Sequence, residues 1–183
     1  MIFISLMHHP VYDRRGNIQT SSITTFDIHD LARSSTTYGV KRLYLVHPSP
    51  LQRQVAERIL GFWEVGGGKE WNPFRSQALE VTRVTANLDM AIEDATQIAG
   101  EKPVLVGTTA KTKEGQVTFE WLRNNLDRPT MIILGTGWGL SPEIINRCDL
   151  LLEPIWGPTE FNHLSVRAAG AIICDRLLGK RLV

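Results

Sequence analysis

The chain has 183 residues, 43% of them hydrophobic and 21% charged, with 20 Lys and Arg against 19 Asp and Glu. This length suits one domain with a substantial core, and the even charge argues against a strongly basic nucleic-acid binder, although a local patch can sit inside a balanced total. Two cysteines, no apolar run near the ~18–20 residues of a membrane span, and no basic lead or cleavage site at the start point to a reducing, cytoplasmic setting.

In chain order, "IFISLM" (2–7) predicts a buried strand. Residues 26–39 carry Ile28, Leu31, Ala32 and Ser35 at helical spacing and end on Gly39, a natural C-cap. A strand over 42–47 follows, then a helix over 50–62 with Leu51, Val55, Ile59 and Phe62 on one face. The stretch 64–77 contains three consecutive glycines and reads as a flexible excursion beginning near Trp63. It interleaves Trp63, Trp71 and Phe74 with Lys69 and Arg75, a pattern that either grips single-stranded RNA or packs as a hydrophobic flap. A strand over 80–86, a helix over 89–99 and a strand over 103–109 come next. After them stand a helix over 117–126, a strand over 130–135 and a short helix over 142–147. A strand over 150–155 and a closing helix over 163–179 complete the pattern. Six strands alternating with helices predict an α/β fold, a mostly parallel sheet covered on both faces, in a single domain over 1–183.

"LGTGWGLSPEI" (134–144) follows an apolar strand with glycines at every second position. In an open α/β sheet ligands gather at the carboxyl ends of strands, and glycine lets them lie against bare amides. A tight strand-to-helix turn using glycines for its own geometry would look the same. A dinucleotide fingerprint fits poorly: Glu153 does end the next strand, but Leu140 stands where a third glycine belongs and too little chain follows. "HHPVYDRRGN" (8–17) lies at the same edge. Its Arg14 and Arg15 suit phosphate, so they are candidate RNA-binding residues, and His8 or His9 can act as a base near neutral pH. Adjacent histidines at a strand end point opposite ways, one inward and one outward. No carboxylate or third ligand stands at metal-binding distance from them in sequence, so no metal is expected.

Three segments together resemble the SPOUT class of RNA methyltransferases, which bind S-adenosylmethionine in a C-terminal deep trefoil knot. "DIHDLARSSTTYGVKRLYLV" is similar to the SpoU-type pattern through Arg33, Tyr38, Gly39 and Val40, with Asp27 where those enzymes carry Asn. "PTMIILGTGWGLSPEI" resembles their cofactor loop, and "LLLEPIWGPTEFNHLSVRAAGAI" their last strand, threaded loop and final helix. The likeness covers essentially the whole chain in the family's order. It comes closest to a compact group similar to the C-terminal region of tRNA (guanine-N1)-methyltransferase.

The resemblance implies an S-adenosylmethionine-dependent methyltransferase acting on tRNA or rRNA, as a homodimer through the last helix. It assigns Leu134, Gly135, Thr136, Gly137, Gly139 and Leu140, with Leu152, Glu153, Pro154 and Ile155, to the adenine and ribose. Gly107, Thr108 and Thr109 line the other wall. A loop over 156–164 closes the site, with Asn162, His163, Leu164 and Ser165 as contacts. Arg33 is placed beside the reacting nucleotide, or else pairs with Asp30 on the helix surface. Asp27 takes a proton, or else caps the helix that starts there. Its replacement of Asn weighs against ribose 2′-O-methylation. In the last helix Ala168, Ala169, Gly170 and Ala171 let another helix approach closely, a partner's or one of its own. The competing class is a binding protein that keeps the cofactor pocket, or a nucleotide pocket, without catalysis.

Overall fold

The computed structural model describes residues 1–180. Its strands are β1 (Ile2–Met7), β2 (Val11–Tyr12), β3 (Ile18–Gln19), β4 (Arg42–Val46), β5 (Thr82–Thr85), β6 (Val104–Gly107), β7 (Thr130–Gly135) and β8 (Leu150–Leu151). Its helices are α1 (Thr25–Thr37), α2 (Pro50–Glu64), α3 (Gly68–Trp71), α4 (Pro73–Leu79), α5 (Leu88–Ala99), α6 (Phe119–Asn124), α7 (Pro142–Ile145) and α8 (Val166–Leu178). A six-stranded sheet in the order β5-β4-β1-β7-β6-β8 is parallel throughout. The six expected strands are the six of this sheet.

Alternation along the strands builds two cores. Ile2, Ile4 and Leu6 of β1 face one layer with Ile28 and Leu31 of α1, Leu60 of α2, Leu122 of α6 and Ile173 of α8. Phe3 and Met7 face the other, with Leu88, Ala91 and Ala95 of α5 and Ile144 of α7. Each fully buried aliphatic side chain contributes about 2 kcal/mol, so the central strand is anchored from both sides. Among the described residues no helix is long and apolar enough to cross a membrane.

The chain around β8 has an unusual course. Successive amides of an extended segment point to opposite sides. Leu152 donates to Gly107 O at 2.9 Å, toward β6, while Glu153 donates to Val117 O at 2.9 Å, and Val117 returns a bond to Leu151 O. Residues 150–153 therefore run between the beginning and the end of the single connection leading from β6 into α6. Beyond them α8 returns to pack on α1, α6 and β7.

Three elements differ from expectation. The excursion is largely helical, forming α3 and α4, because Asn72 caps α4 through a bond from the Arg75 amide (3.0 Å) and Pro73 sits at the first helical position. The β2–β3 pair forms a separate antiparallel hairpin that the sequence pattern did not show. In α2 the face carrying Leu51, Val55 and Phe62 points outward, with Leu51 72% exposed, and Ala56 and Leu60 are the residues buried.

Candidate functional site

Because all six strands are parallel, their carboxyl ends meet at one edge, and loops from three neighbouring strands, β7, β6 and β8, converge there. The glycine loop after β7 is fitted largely by the chain itself. A Cβ on Gly135 would lie 2.7 Å from Leu140 N, and one on Gly137 (φ 60°) 2.8 Å from Tyr12 O in the hairpin. Gly139 differs: its φ is 109° and no atom lies within 4 Å of its Cβ position. Thr136, Trp138 and Gly139 donate their amides to Met7 O, Tyr12 O and Thr136 O. Among the described residues the Leu140 amide meets no acceptor. The loop is thus rigidly held, with open space at its third glycine.

The other expected cofactor residues adjoin it. Thr108 donates both its amide (3.2 Å) and its hydroxyl (2.9 Å) to Ile133 O, tying the end of β6 to β7. Thr109 Oγ1 accepts from the Lys111 amide at 3.2 Å. Leu134 and Leu152 are core side chains and Pro154 is buried, so any ligand contact these three make is through main chain, while Ile155 packs against the core and stays partly exposed. The Glu153 carboxylate accepts from the Phe119 amide at 2.7 Å, which assigns it to the start of α6. The loop over 156–164 reaches back: Asn162 Nδ2 donates to Ala110 O at 2.8 Å. The His163 ring stands edge-on between Trp138 (6.0 Å) and Phe161 (5.5 Å). Leu164 is exposed, and Ser165 caps α8 by accepting from the Ala168 amide. The loops over 107–110, 135–140 and 152–165 therefore form one cradle.

Asp27 is 5% exposed and its carboxylate is already engaged. Thr24, not Asp27, is the N-cap of α1, and Asp27 closes a capping box as its third residue, accepting from Thr24 N at 3.0 Å and Thr24 Oγ1 at 2.6 Å. Its other oxygen faces Arg167 at 3.8 Å. The pairing of Arg33 with Asp30 is absent, because Asp30 is taken by Arg167 at 3.3 Å. Arg33 is exposed, and with Asn72, Phe74 and Arg75 it lines an open pocket of about 290 Å³. Arg14 and Arg15 are exposed at the tip of the hairpin whose base packs on Gly137.

His8 lies wholly inside and His9 partly outside. The Thr136 hydroxyl donates to Met7 O at 3.1 Å, so its neighbour Ser21 must donate to it, and His8 Nδ1 then carries the hydrogen that Ser21 Oγ accepts at 2.9 Å. His8 Nε2 is left buried with no partner among the described residues. Burial pushes its pKa down to about 4, against the pull of the Asp27 carboxylate, so the ring is neutral at pH 7. His47 sits beside it at 5.8 Å and donates from Nε2 to Ser21 O at 3.0 Å, while its Nδ1 accepts from the Ser49 amide. Sequence reasoning missed Ser21 and Arg167. Their roles arise from partners about 115 and 140 residues away along the chain, for which a single sequence carries no periodic signal.

A cradle of held main chain, a neutral buried imidazole and free guanidiniums suits a ligand bound by amides next to an anionic polymer. The profile of a family described as SAM-dependent RNA methyltransferase matches residues 1–179. An uncharacterized protein of Aquifex aeolicus is 42% identical over 182 residues, covering 98% of this chain and 89% of the relative. A protein of Nitratidesulfovibrio vulgaris named tRNA (guanine-N(1)-)-methyltransferase is 41% identical over 179 residues, 97% of this chain and 42% of that relative. This chain thus spans less than half of that protein. Among solved structures, the SpoU methyltransferase AviRb from Streptomyces viridochromogenes in complex with AdoMet superposes with a TM-score of 0.56 at 16% identity, over 97% of this chain and 56% of that one. This last likeness concerns the fold.

Proposed function

Since the chain belongs to the S-adenosylmethionine-dependent RNA methyltransferases, we propose that the cradle formed by 107–110, 135–140 and 152–165 is where the cofactor is held and where a tRNA or rRNA nucleotide is methylated. The observation that carries this reading is the convergence of those three loops, tied by Asn162 to Ala110 and by His163 to Trp138. The residues fit the cofactor: Gly139 leaves open space, Leu140 offers a free amide, and the exposed faces of Trp138 and Trp156 border the site. Bound S-adenosylmethionine supplies a methyl group already activated by its positive sulfur. What remains for the protein is to hold the acceptor in line and accommodate its proton.

Arg33 stands beside the acceptor nucleotide, and Arg14 and Arg15 on the hairpin tip meet the phosphate backbone. Asp27, whose oxygens are engaged by Thr24 and Arg167, acts as a positioning residue that fixes α1 and Arg167. The departure from Asn at this position favours a base over a ribose hydroxyl as acceptor, in line with the name of the Nitratidesulfovibrio relative. We further propose that the C-terminal segment forms a deep trefoil knot. The passage of 150–153 between β6 and Val117, followed by the return of α8, supports it. A homodimer through α8 is supported by Ala168, Ala169, Ala171 and Ile172, which stay partly exposed while Gly170 faces inward. Phe26, exposed beside Arg167, extends that surface.

Mass spectrometry of nucleosides from RNA of cells with and without the gene tests the reading. Loss of one methylated nucleoside is the expected result. An unchanged profile in every RNA class would contradict catalysis and leave a cofactor-binding protein.

A further inference from the structure

We propose that Arg33, Asn72, Phe74 and Arg75 form a receptor for one nucleotide of an RNA strand, with the two guanidiniums on a phosphate and the Phe74 ring against a base. The pocket of about 290 Å³ is built from α1 on one side and the junction of α3 and α4 on the other. Its volume lies at the small end of ligand sites.

Three observations point to an anion with a flat apolar face. First, neither guanidinium has a carboxylate partner among the described residues, since Asp30, the nearest acid along α1, is held by Arg167. Second, both charged side chains line the same pocket. The Arg75 guanidinium lies 5.0 Å over the Trp63 ring and Trp63 is edge-on to His29 at 5.7 Å; burial first, then the charges of Arg75 and Arg33, lower the pKa of His29 against the pull of Asp30. Two like charges on one pocket repel, and a phosphate bound between them relieves the repulsion. Third, Phe74 is 83% exposed and Trp71 87%, whereas Trp63 is packed beneath. An aromatic ring held in water beside paired arginines is how single strands are gripped irrespective of base. The pocket lies about 9 Å along the α1 axis from Asp27 at the carboxyl edge, a reach set by six residues of helical rise. The identification of the ligand as RNA rests on the methyltransferase reading, while the pocket does not.

Anisotropy of a fluorescein-labelled mixed-sequence 12-nucleotide RNA, repeated with unfractionated tRNA, tests the proposal. Arg75→Ala and Phe74→Ala are expected to raise Kd at least fivefold and Phe74→Trp to preserve it. Arg75→Ala should also lower the slope of log K against log salt by about one. Arg128→Ala, at a remote surface pair with Glu101, serves as control, and thermal melts confirm folding. Affinities within twofold of the wild type for both variants, or no RNA binding by the wild type at 50 mM salt, would overturn the receptor. So would a Phe74→Ala variant that loses only its oligomeric state. Calorimetry with S-adenosylmethionine separates the two readings. Cofactor binding with RNA affinity indifferent to Arg75 removes this pocket alone. Arg75-dependent RNA binding without cofactor binding removes the cradle assignment alone.

Discussion

His8 is a base enclosed among Ser21, Thr136 and His47, and its lowered pKa ties stability to pH. Between its folded value of about 4 and the ordinary 6.5, the unfolded chain takes up a proton that the folded chain refuses. Stability therefore rises with pH through that window: the contribution is complete above about 6.5 and lost as pH falls toward 4, at most about 3 kcal/mol. Burial lowers His29 and His47 as well, so they share the slope. Urea midpoints measured from pH 4 to 7 should fall with acid in the wild type and fall less in His8→Gln. Identical curves would deny His8 this role. Arg33 has a different consequence, because it is exposed and holds nothing else in place. Arg33→Ala should lower kcat/KM for RNA about 100-fold while leaving cofactor affinity and melting temperature unchanged. Of these residues, sequence reasoning could place the His8–His9 pair at the carboxyl edge of the sheet, one inward and one outward, whereas Arg33 lies farther along α1 in a pocket with Asn72, Phe74 and Arg75. It could not see the contact of Asp27 with Arg167 on the last helix, although the capping box with Thr24 spans only three residues and is a local pattern.

At the scale of elements, α1 and α8 show how tightly local signals and packing agree. Thr24 and Asp27 close the capping box of α1, so Thr24→Ala should cost about 1 kcal/mol, read as a fall of roughly 2–4 °C in Tm. A Cβ on Gly170 of α8 would meet Leu31 Cδ2 at 2.6 Å and Leu134 Cδ1 at 3.3 Å. Gly170→Ala should therefore destabilise the fold by about 1–3 kcal/mol in urea titrations, and a neutral result would mean that α8 does not press on α1 as described. Strands such as β1, β4 and β7 were legible because a parallel strand covered on both faces is a run of apolar residues with no alternation to misread. The β2–β3 hairpin was not, since two-residue strands carry no period. The apolar row of α2 pointed the wrong way because periodicity finds a face without saying what it faces. In the glycine loop the spacing located a tightly held strand-to-helix turn at the carboxyl edge, and two of its three glycines answer to the protein's own Leu140 and Tyr12.

For the whole molecule, the parallel sheet brings residues from both halves of the chain to one edge, and the course of 150–153 past Val117 draws the last third of the chain to that edge. If α8 pairs two chains, sedimentation equilibrium should give the mass of a dimer, and Ala169→Glu should return it to a monomer with its fold intact. A wild-type monomer at all concentrations would refute the shared-helix arrangement. Cofactor binding and methyl transfer both turn on the cradle. Isothermal titration of S-adenosylmethionine into the wild type and Gly139→Val, with Arg128→Ala as control, is its most direct measurement. One site per chain with Kd on the order of 10 μM or below in the wild type and control, and no detectable binding to a folded Gly139→Val, is the predicted result. No heat from the wild type, or undiminished binding by Gly139→Val, would contradict the assignment of these loops to the cofactor.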